Sequence, residues 1–466
     1  MHDQYVKWIA PLALCCAAAP VAAQNIFSGQ PSTADGYRTF DADMINVENV
    51  TETGAGVYVA VLDTGLAPNW KDYFPQARVA EHLGKGFVQN ISFKAFNDRC
   101  GLGVTTGKLR ETTFIGSRGS EHGTHVTSTI LGYFYRANAD LVSGFPLPPI
   151  MVRGIAPNVT IIPVKVLADY RIPELPKCDD PEVSTQSQLA VFGTDEMIAA
   201  GINYATDLAI AGYRPMVINM SLGGSVLAAS EQAALDRAIA NGVIVVASAG
   251  NDGDDGMGFP GAYPPVISVA AAGWNNSWID PAITPTFYRM FWLQNGGDFV
   301  PPLFANGGNV PEPTPTTSAG FPFNHAAYIA DFSSRELAGE QLDVTAPGVW
   351  VRGPFAGFPG YNHLPWWSQG IGDLLSTAPL TNFFYVSGTS MSAPHTTAVA
   401  ALMLEKNPAL TQAQVESILK STALPIPPGF GGDIQITSGF ADLQIWGADA
   451  TGSGLIQADA AVAATP

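Results

Sequence analysis

Short apolar runs alternate along this chain with longer stretches of helical periodicity. The runs are continuously apolar, a pattern typical of strands buried on both faces of a parallel sheet. The sequence predicts strands at 57–62, 160–166, 216–220, 243–248 and 266–271. It predicts helices at 122–132, 194–212, 231–241, 391–406 and 411–421. This order of elements predicts an α/β fold, a doubly wound and mostly parallel sheet with helices on both faces.

Four long stretches interrupt the rhythm, at 83–119, 167–192, 274–327 and 353–384. Each lacks sustained periodicity, so we interpret them as loop insertions rather than further domains. The last two are rich in aromatic residues, which either line a binding cleft or form small local cores under the loops.

The N-terminus has the pattern of an export signal. Lys7 ends a short polar region, and an apolar run from 8 to 23 closes on small residues. A buried N-terminal helix is the alternative; a lipoprotein signal fits poorly because Leu14 precedes Cys15. We expect a secreted or periplasmic protein without later membrane contact, since no later run reaches about 20 apolar residues. We divide the chain into a signal peptide at 1–23, a short N-terminal segment at 24–44 and one domain at 45–466.

Composition narrows the function classes. The 466 residues include 40 Asp and Glu against 22 Lys and Arg, a net charge of −18 that argues against nucleic acid as a partner. With 47% apolar residues the chain can bury a large core, and we expect a monomer. Cys100 and Cys178 remain after signal removal. In an oxidising compartment they either pair or stay free thiols.

Two segments carry acid and base side chains. Asp63 ends an apolar run just before Gly65, at the end of a strand where α/β active sites form, although such residues are also common turn formers. His122 and His125 open a helix with a spacing that lets them share one face. Taken alone, they would either bind a metal or be structural.

A third segment presents a serine at a helix start. Ser390 follows Gly388, and Pro394 suits the first helical turn. Free backbone N–H groups there stabilise negative charge, although a plain N-cap serine shares the pattern. A nucleophilic serine needs a base and a group that orients the base, and Asp63, His122 and Ser390 supply that set. Asn251, after a fourth apolar run, offers an amide that can donate to an oxyanion.

A family resemblance joins these segments. The chain contains VAVLDTG, HGTHV, VINMSLGG, ASAGN and GTSMSAPH, with Asp, His and Ser in the subtilisin order. From about residue 45 to 462 the sequence resembles the subtilases, a family of subtilisin-like serine proteases. The resemblance implies peptide-bond hydrolysis through an acyl-enzyme, with a polypeptide as the substrate and no cofactor required for the chemistry.

The resemblance also implies roles for matching residues. Ser390 would be the nucleophile, His122 the general base and then acid, and Asp63 the group that orients it. Asn251 and the Ser390 backbone N–H would form the oxyanion hole. The remaining matches are Ser221, Leu222 and Gly223, which would pair with an extended substrate, Ala249 and Gly250, which would flank the pocket before the scissile bond, and His125, a packed helix residue.

The sequence departs from the family pattern in two places. Only 24–49 separates the signal from the fold, where secreted subtilases usually carry a sizeable propeptide, so maturation by self-cleavage is in doubt. The common calcium loop after the histidine helix is not recognisable in 133–152. Asp140 and Asp169 either bind a structural calcium or are solvated loop acids.

Three other function classes fit less well. An ester hydrolase would have a second glycine after the nucleophile, as in G-x-S-x-G, and this chain has Ser392 there. A metal hydrolase using His122 and His125 would lack the H-E-x-x-H arrangement. A non-enzymatic binding module on this fold is the last alternative.

Overall fold

A computed structural model describes most of the chain. The described residues are 33–95 without 35 and 37, 102–116, 121–135, 150–173, 188–274, 293–294, 327–355, 383–434 and 441–466. The predicted signal peptide, Cys100, Cys178, Asp140 and most of the two aromatic-rich insertions lie outside these ranges.

The described residues form strands and helices in the following chain order. The strands are β1 (Arg38–Thr39), β2 (Tyr58–Asp63), β3 (Lys85–Ala95), β4 (Leu102–Thr112), β5 (Gly132–Tyr135), β6 (Ile150–Arg153), β7 (Thr160–Lys165), β8 (Ala168–Ile172), β9 (Gln188–Phe192), β10 (Met216–Met220), β11 (Ile244–Ser248), β12 (Ile267–Trp274), β13 (Leu293–Gln294), β14 (Ala327–Ile329), β15 (Val344–Pro347), β16 (Val351–Pro354), β17 (Phe383–Val386), β18 (Gly429–Ile434) and β19 (Ala441–Trp446). The helices are α1 (Phe40–Asp43), α2 (Glu121–Leu131), α3 (Asp195–Ile210), α4 (Ala229–Ala240), α5 (Thr389–Lys406), α6 (Gln412–Thr422) and α7 (Ala458–Ala464).

One large sheet organises the fold. Its strand order is β14-β12-β11-β10-β2-β7-β3-β4, with β15 also pairing with β12. The neighbours from β3 to β12 pair in parallel, and only β4 and β14 run antiparallel to their partners. The five predicted strands are all present in this sheet, so the predicted mostly parallel α/β fold is confirmed.

The central strand β2 contributes to a separate hydrophobic core on each face of the sheet. Val59 and Val61 join the cluster that contains the buried sides of α2 and α5, whereas Ala60 and Leu62 join the cluster of α3 and α4. Successive side chains of a strand point to opposite faces, so a strand covered on both sides has to be apolar at every position. This accounts for the continuous apolar runs in the sequence.

Two of the predicted loop insertions contain regular structure. The stretch 83–119 folds into the antiparallel pair β3 and β4, which extends the edge of the main sheet. The stretch 167–192 contains the antiparallel pair β8 and β9. These two insertions therefore contain strands that the sequence analysis did not predict. Most of β4 is exposed to solvent, so its sequence has no apolar period to reveal it.

The segment before β2 packs into the body of the protein. Ala42, Met44 and Ile45 are buried in the same core cluster as α5. Asn46 Nδ2 donates to Gln457 Oε1 at 2.6 Å, which ties this segment to the start of α7. The division of the chain at residue 44 remains a prediction. In the described part of the chain, no helix is both long and apolar enough to span a membrane.

Candidate active site

Asp63 and His122 form a hydrogen-bonded pair at the end of a buried strand. Asp63 is the last residue of β2 and its side chain is fully buried, whereas the His122 side chain on α2 is 30% exposed. Nδ1 of His122 lies 2.8 Å from Oδ1 and 3.0 Å from Oδ2 of Asp63. An ionised carboxylate only accepts hydrogen bonds, so Nδ1 carries the proton and Nε2 is left as the basic atom of the neutral ring.

The electrostatics of this pair suit a general base. Burial lowers the pKa of His122, but the negative charge of Asp63 and the hydrogen bond to it outweigh burial, so the pKa lies above its ordinary value of 6.5. The same carboxylate would stabilise the imidazolium that forms when the ring takes up a proton.

A glycine allows the helix to approach the strand end. The Gly123 N–H donates to the Thr64 hydroxyl at 2.9 Å, and the Thr64 N–H donates to Asp63 Oδ1 at 2.6 Å. A Cβ on Gly123 would lie 2.4 Å from the Gly65 carbonyl oxygen, closer than any side chain allows. The glycine of the HGTH segment thus lets α2 contact the turn after β2.

Ser390 lies at the start of α5, beside the loop after β10. Its hydroxyl donates to the Ser221 carbonyl at 3.3 Å, and its own carbonyl accepts from the Ser221 hydroxyl at 2.8 Å. The helix begins at Thr389, so Pro394 is in the second turn and not in the predicted first turn. The proline is tolerated because the Ser390 carbonyl, which residue 394 would normally satisfy, bonds to Ser221 instead.

The orientation of the Asn251 amide is set by Thr389. Asn251 Oδ1 accepts from both the backbone N–H and the hydroxyl of Thr389, each at 2.9 Å. Its Nδ2 has no protein acceptor among the described residues, so the amide N–H groups are available to a ligand. The turn needs Gly250, whose φ is +113°, because this conformation is costly for residues with a Cβ.

A cavity of about 350 Å³ opens beside His122. Residues 221–223 after β10 form one part of its wall, and residues 191–193 at the end of β9 form another part. The other lining residues are Thr64, Glu121, His122, Leu167, Ile198 and Phe355. The cavity is therefore mostly apolar and lies next to His122.

An aromatic cluster from the two hairpins supports the β9 wall. The ring of Phe192 lies 4.6 Å from the ring of Tyr170 on β8 and 6.0 Å from that of Phe93 on β3. The Tyr170 hydroxyl donates to the Gln89 carbonyl at 3.0 Å. The stretches interpreted as insertions thus hold one side of the cavity in place.

Comparison with known proteins shows the family of the chain. The model of the subtilase family, Peptidase_S8, matches residues 54–442. The chain belongs to the subtilase family. This subtilase is 28% identical over 381 residues to subtilisin DY of Bacillus licheniformis, covering 81% of the chain and 87% of the relative. It is also 28% identical over 382 residues to a subtilisin of Bacillus pumilus, with the same coverage.

Two solved structures share the fold of this subtilase. The S41 psychrophilic protease has a TM-score of 0.50 at 24% identity, and sphericase has a TM-score of 0.50 at 23% identity. Each comparison covers 91% of this chain and 99% of the other. As a member of this family the chain is a subtilisin-like serine endopeptidase, a class that acts on polypeptides.

The predicted site residues of this subtilase are only partly brought together. His122, Ser221, Leu222 and Gly223 line the cavity. Ala249 and Gly250 are not in its lining; they lead into Asn251, and their backbone N–H groups bond to Val269 and Thr389 within the protein. Their contribution to a substrate pocket remains a prediction.

The second histidine of the motif is a packed helix residue, as predicted. His125 is fully buried, and its Nε2 lies 3.1 Å from the Val351 carbonyl oxygen. The two rings make different contacts, since Nδ1 of His122 bonds to Asp63 and Nε2 of His125 bonds to the Val351 carbonyl. Among the described residues, no group of three or more His, Cys, Asp or Glu side chains is placed to hold a metal ion.

Sequence reasoning missed two polar residues of the site. Thr389 orients Asn251, and its place beside Ser390 in the GTSMS segment was a signal that pointed to it. Lys165 pairs in register with Asp63 across β2 and β7, and its ammonium lies 3.4 Å from the Thr64 carbonyl oxygen. Burial lowers the pKa of Lys165. Lys165 is the last residue of β7, and nothing in the local sequence indicates that it lies beside Asp63 in the sheet.

Proposed function

We propose that this chain is an exported endopeptidase that cleaves peptide bonds through an acyl-enzyme on Ser390. The observation that carries the proposal is the bond between buried Asp63 and His122 beside a mostly apolar cavity. A serine hydroxyl is a poor nucleophile near neutral pH and needs such a base.

In the proposed reaction the Ser390 hydroxyl turns from the Ser221 carbonyl towards His122 Nε2. Oγ attacks the substrate carbonyl carbon while Nε2 takes the hydroxyl proton, and Asp63 stabilises the imidazolium. The oxyanion accepts hydrogen bonds from Asn251 Nδ2 and the Ser390 N–H. His122 then gives its proton to the leaving amine, and water, deprotonated by His122, hydrolyses the ester.

The cavity walls suit an extended peptide. Gly223 is exposed, and its backbone groups make no hydrogen bond with other described residues. A substrate strand would bond to the backbone of 221–223 and contact Phe192 and Ile198 with its side chains. Apolar side chains before the scissile bond are the expected preference, since Leu167, Leu222 and Phe355 also line the cavity.

A fluorophosphonate probe tests the assignment of the nucleophile. The chain without residues 1–23 should be labelled, and the Ser390→Ala variant should not. Labelling of both proteins, or peptide cleavage by the variant at the parent's rate, would remove Ser390 from this role. Mass spectrometry of the labelled peptide identifies the modified residue.

Export, calcium and the monomeric state are further parts of the proposal. Secretion with cleavage after Ala23 would give a mature N-terminus at Gln24, which Edman sequencing of the exported protein reads directly. Thermal unfolding with calcium or with a chelator tests for a structural ion, and sedimentation tests for a monomer. An unchanged melting temperature would argue against calcium.

A further inference from the structure

Pro394 leaves the carbonyl of Ser390 without its helical donor. In an α-helix each carbonyl accepts from the N–H four residues later, and for Ser390 that residue is a proline without an N–H. The Ser221 hydroxyl donates to this carbonyl at 2.8 Å. A side chain from the loop after β10 thus fixes the backbone of the residue to which we assign the nucleophile.

The bond belongs to a chain of buried hydrogen bonds. Asn219 Nδ2 donates to Ser221 Oγ at 3.0 Å, and the Thr397 hydroxyl donates to Asn219 Oδ1 at 2.9 Å. Asn219 and Thr397 are fully buried, and Ser221 is 2% exposed. Since a hydroxyl has a single proton, Ser221 uses its proton on Ser390 and is itself oriented by Asn219. Consecutive bonds of this kind strengthen one another.

The geometry points to Thr397 and Asn219 as positioning residues for the nucleophile. This inference rests on the proposed function of Ser390. Thr397 and Ser390 lie on the same helix, so the chain of bonds runs from α5 through β10 back to the helix start. Neither Asn219 nor Thr397 lines the cavity. They act through Ser221, whose hydroxyl bonds to the Ser390 carbonyl and so fixes the backbone that carries the Ser390 N–H and Oγ.

The chain offers a matched control in the next residue. Thr396 is also fully buried on α5, but its hydroxyl has no hydrogen-bond partner among the residues that the structure describes. Thr→Val exchanges a hydroxyl for a methyl group of similar volume, so Thr397→Val and Thr396→Val differ mainly in the loss of one hydrogen bond. A buried bond is worth about 1–1.5 kcal/mol. We therefore expect kcat to fall about five- to tenfold in Thr397→Val with KM unchanged, and to stay within twofold in Thr396→Val.

Further variants separate positioning from a general loss of stability. Thr397→Ser keeps the donor and should restore kcat. The rate of fluorophosphonate labelling should follow kcat, while the pKa of the acid limb of kcat/KM stays constant because Asp63 and His122 are untouched. Ser221→Ala should lose at least as much activity as Thr397→Val, and the double variant should lose no more than Ser221→Ala alone.

The outcomes distinguish this inference from the proposed function. If the parent is labelled at Ser390 but Thr397→Val has the same kcat as Thr396→Val, only the positioning role is wrong. A raised KM with unchanged kcat, or full additivity with Ser221→Ala, would also contradict it. If the folded parent is not labelled at Ser390, the proposed function itself fails. If Thr397→Val does not fold, the positioning role is tested with Asn219→Ser and with a comparison of Thr397→Ser and Thr396→Val. The measurement in each case is the rate of fluorophosphonate labelling.

Discussion

Asn251 Oδ1 accepts two hydrogen bonds from a single residue, the N–H and the hydroxyl of Thr389. Because both bonds engage the oxygen, the amide cannot flip without losing them, and Nδ2 keeps one orientation. The residue next to the candidate nucleophile therefore orients the candidate oxyanion donor.

Removal of the amide should lower the rate of the chemical step. We expect Asn251→Ala to lower kcat by about 10²–10³-fold with little change in KM, since the oxyanion forms only after substrate binding. Thr389→Val should lower kcat less, because the backbone N–H of residue 389 still donates to Asn251 Oδ1. Steady-state kinetics on one peptide measure both variants. Near-normal kcat in Asn251→Ala would exclude the residue from the oxyanion hole.

The pKa of His122 should determine the acid limb of the pH profile. It is raised by Asp63 against the effect of burial, so kcat/KM should fall as pH decreases through a value above 6.5. In Asp63→Asn the negative charge that raises the His122 pKa is lost and the effect of burial remains. The His122 pKa should therefore fall below 6.5. Activity should drop by about 10⁴-fold, because the ring loses the group that fixes its tautomer.

An NMR titration of the His122 ring measures this pKa directly in both proteins. Asp72→Asn, a change at an exposed carboxylate on the surface, is the matched control and should leave the titration unchanged. An unaltered His122 pKa in Asp63→Asn would mean that the carboxylate is not the cause of the shift.

Asp41 should stabilise the fold through a buried partner. His395 is fully buried on α5, with Nδ1 2.7 Å from the Met391 carbonyl oxygen and Nε2 3.0 Å from Asp41 Oδ2. Asp41→Leu leaves Nε2 without a partner and should cost about 3 kcal/mol of unfolding free energy. Asp41→Asn retains a polar partner for Nε2 and should cost less. Urea unfolding compares the two; equal stabilities would argue against the pair.

Glu231 should make stability depend on pH. Burial and the nearby charge of Asp195 raise the pKa of this carboxyl to about 7, and within the described part of the chain its Oε1 has no hydrogen-bond partner. The ionised form is therefore disfavoured in the folded state. The stability from this group is fully present below about pH 4.5, where both states are protonated, and is lost as pH rises to about 7.

Glu231→Gln removes this loss. Relative to the parent, the variant should gain about 3 kcal/mol of unfolding free energy between pH 4 and pH 8. Glu196→Gln, at an exposed position on α3, should show no such trend. Parallel stability curves for the parent and Glu231→Gln would show that the carboxyl is not destabilising when ionised.

The sequence by itself determined the central strands and the positions of Asp63, His122 and Ser390. A strand covered on both faces has to be apolar throughout, and acidic, basic and hydroxyl side chains at element ends are visible as short motifs. The sequence did not reveal β3, β4, β8 and β9. An edge hairpin exposed to water needs no apolar period, and the aromatic contacts that hold β8 and β9 are distant in sequence.

Only the tertiary structure decided which polar groups meet. Thr397 and Asn219 are separated by 178 positions, and nothing in the sequence around either residue indicates that their side chains form a hydrogen bond. Pro394 was expected in the first turn because a helix interior normally excludes proline. Its second-turn position became acceptable only when the fold brought the Ser221 hydroxyl to the free carbonyl of Ser390. Local sequence specifies elements and motifs, whereas hydrogen bonds between distant segments depend on packing that no short pattern encodes.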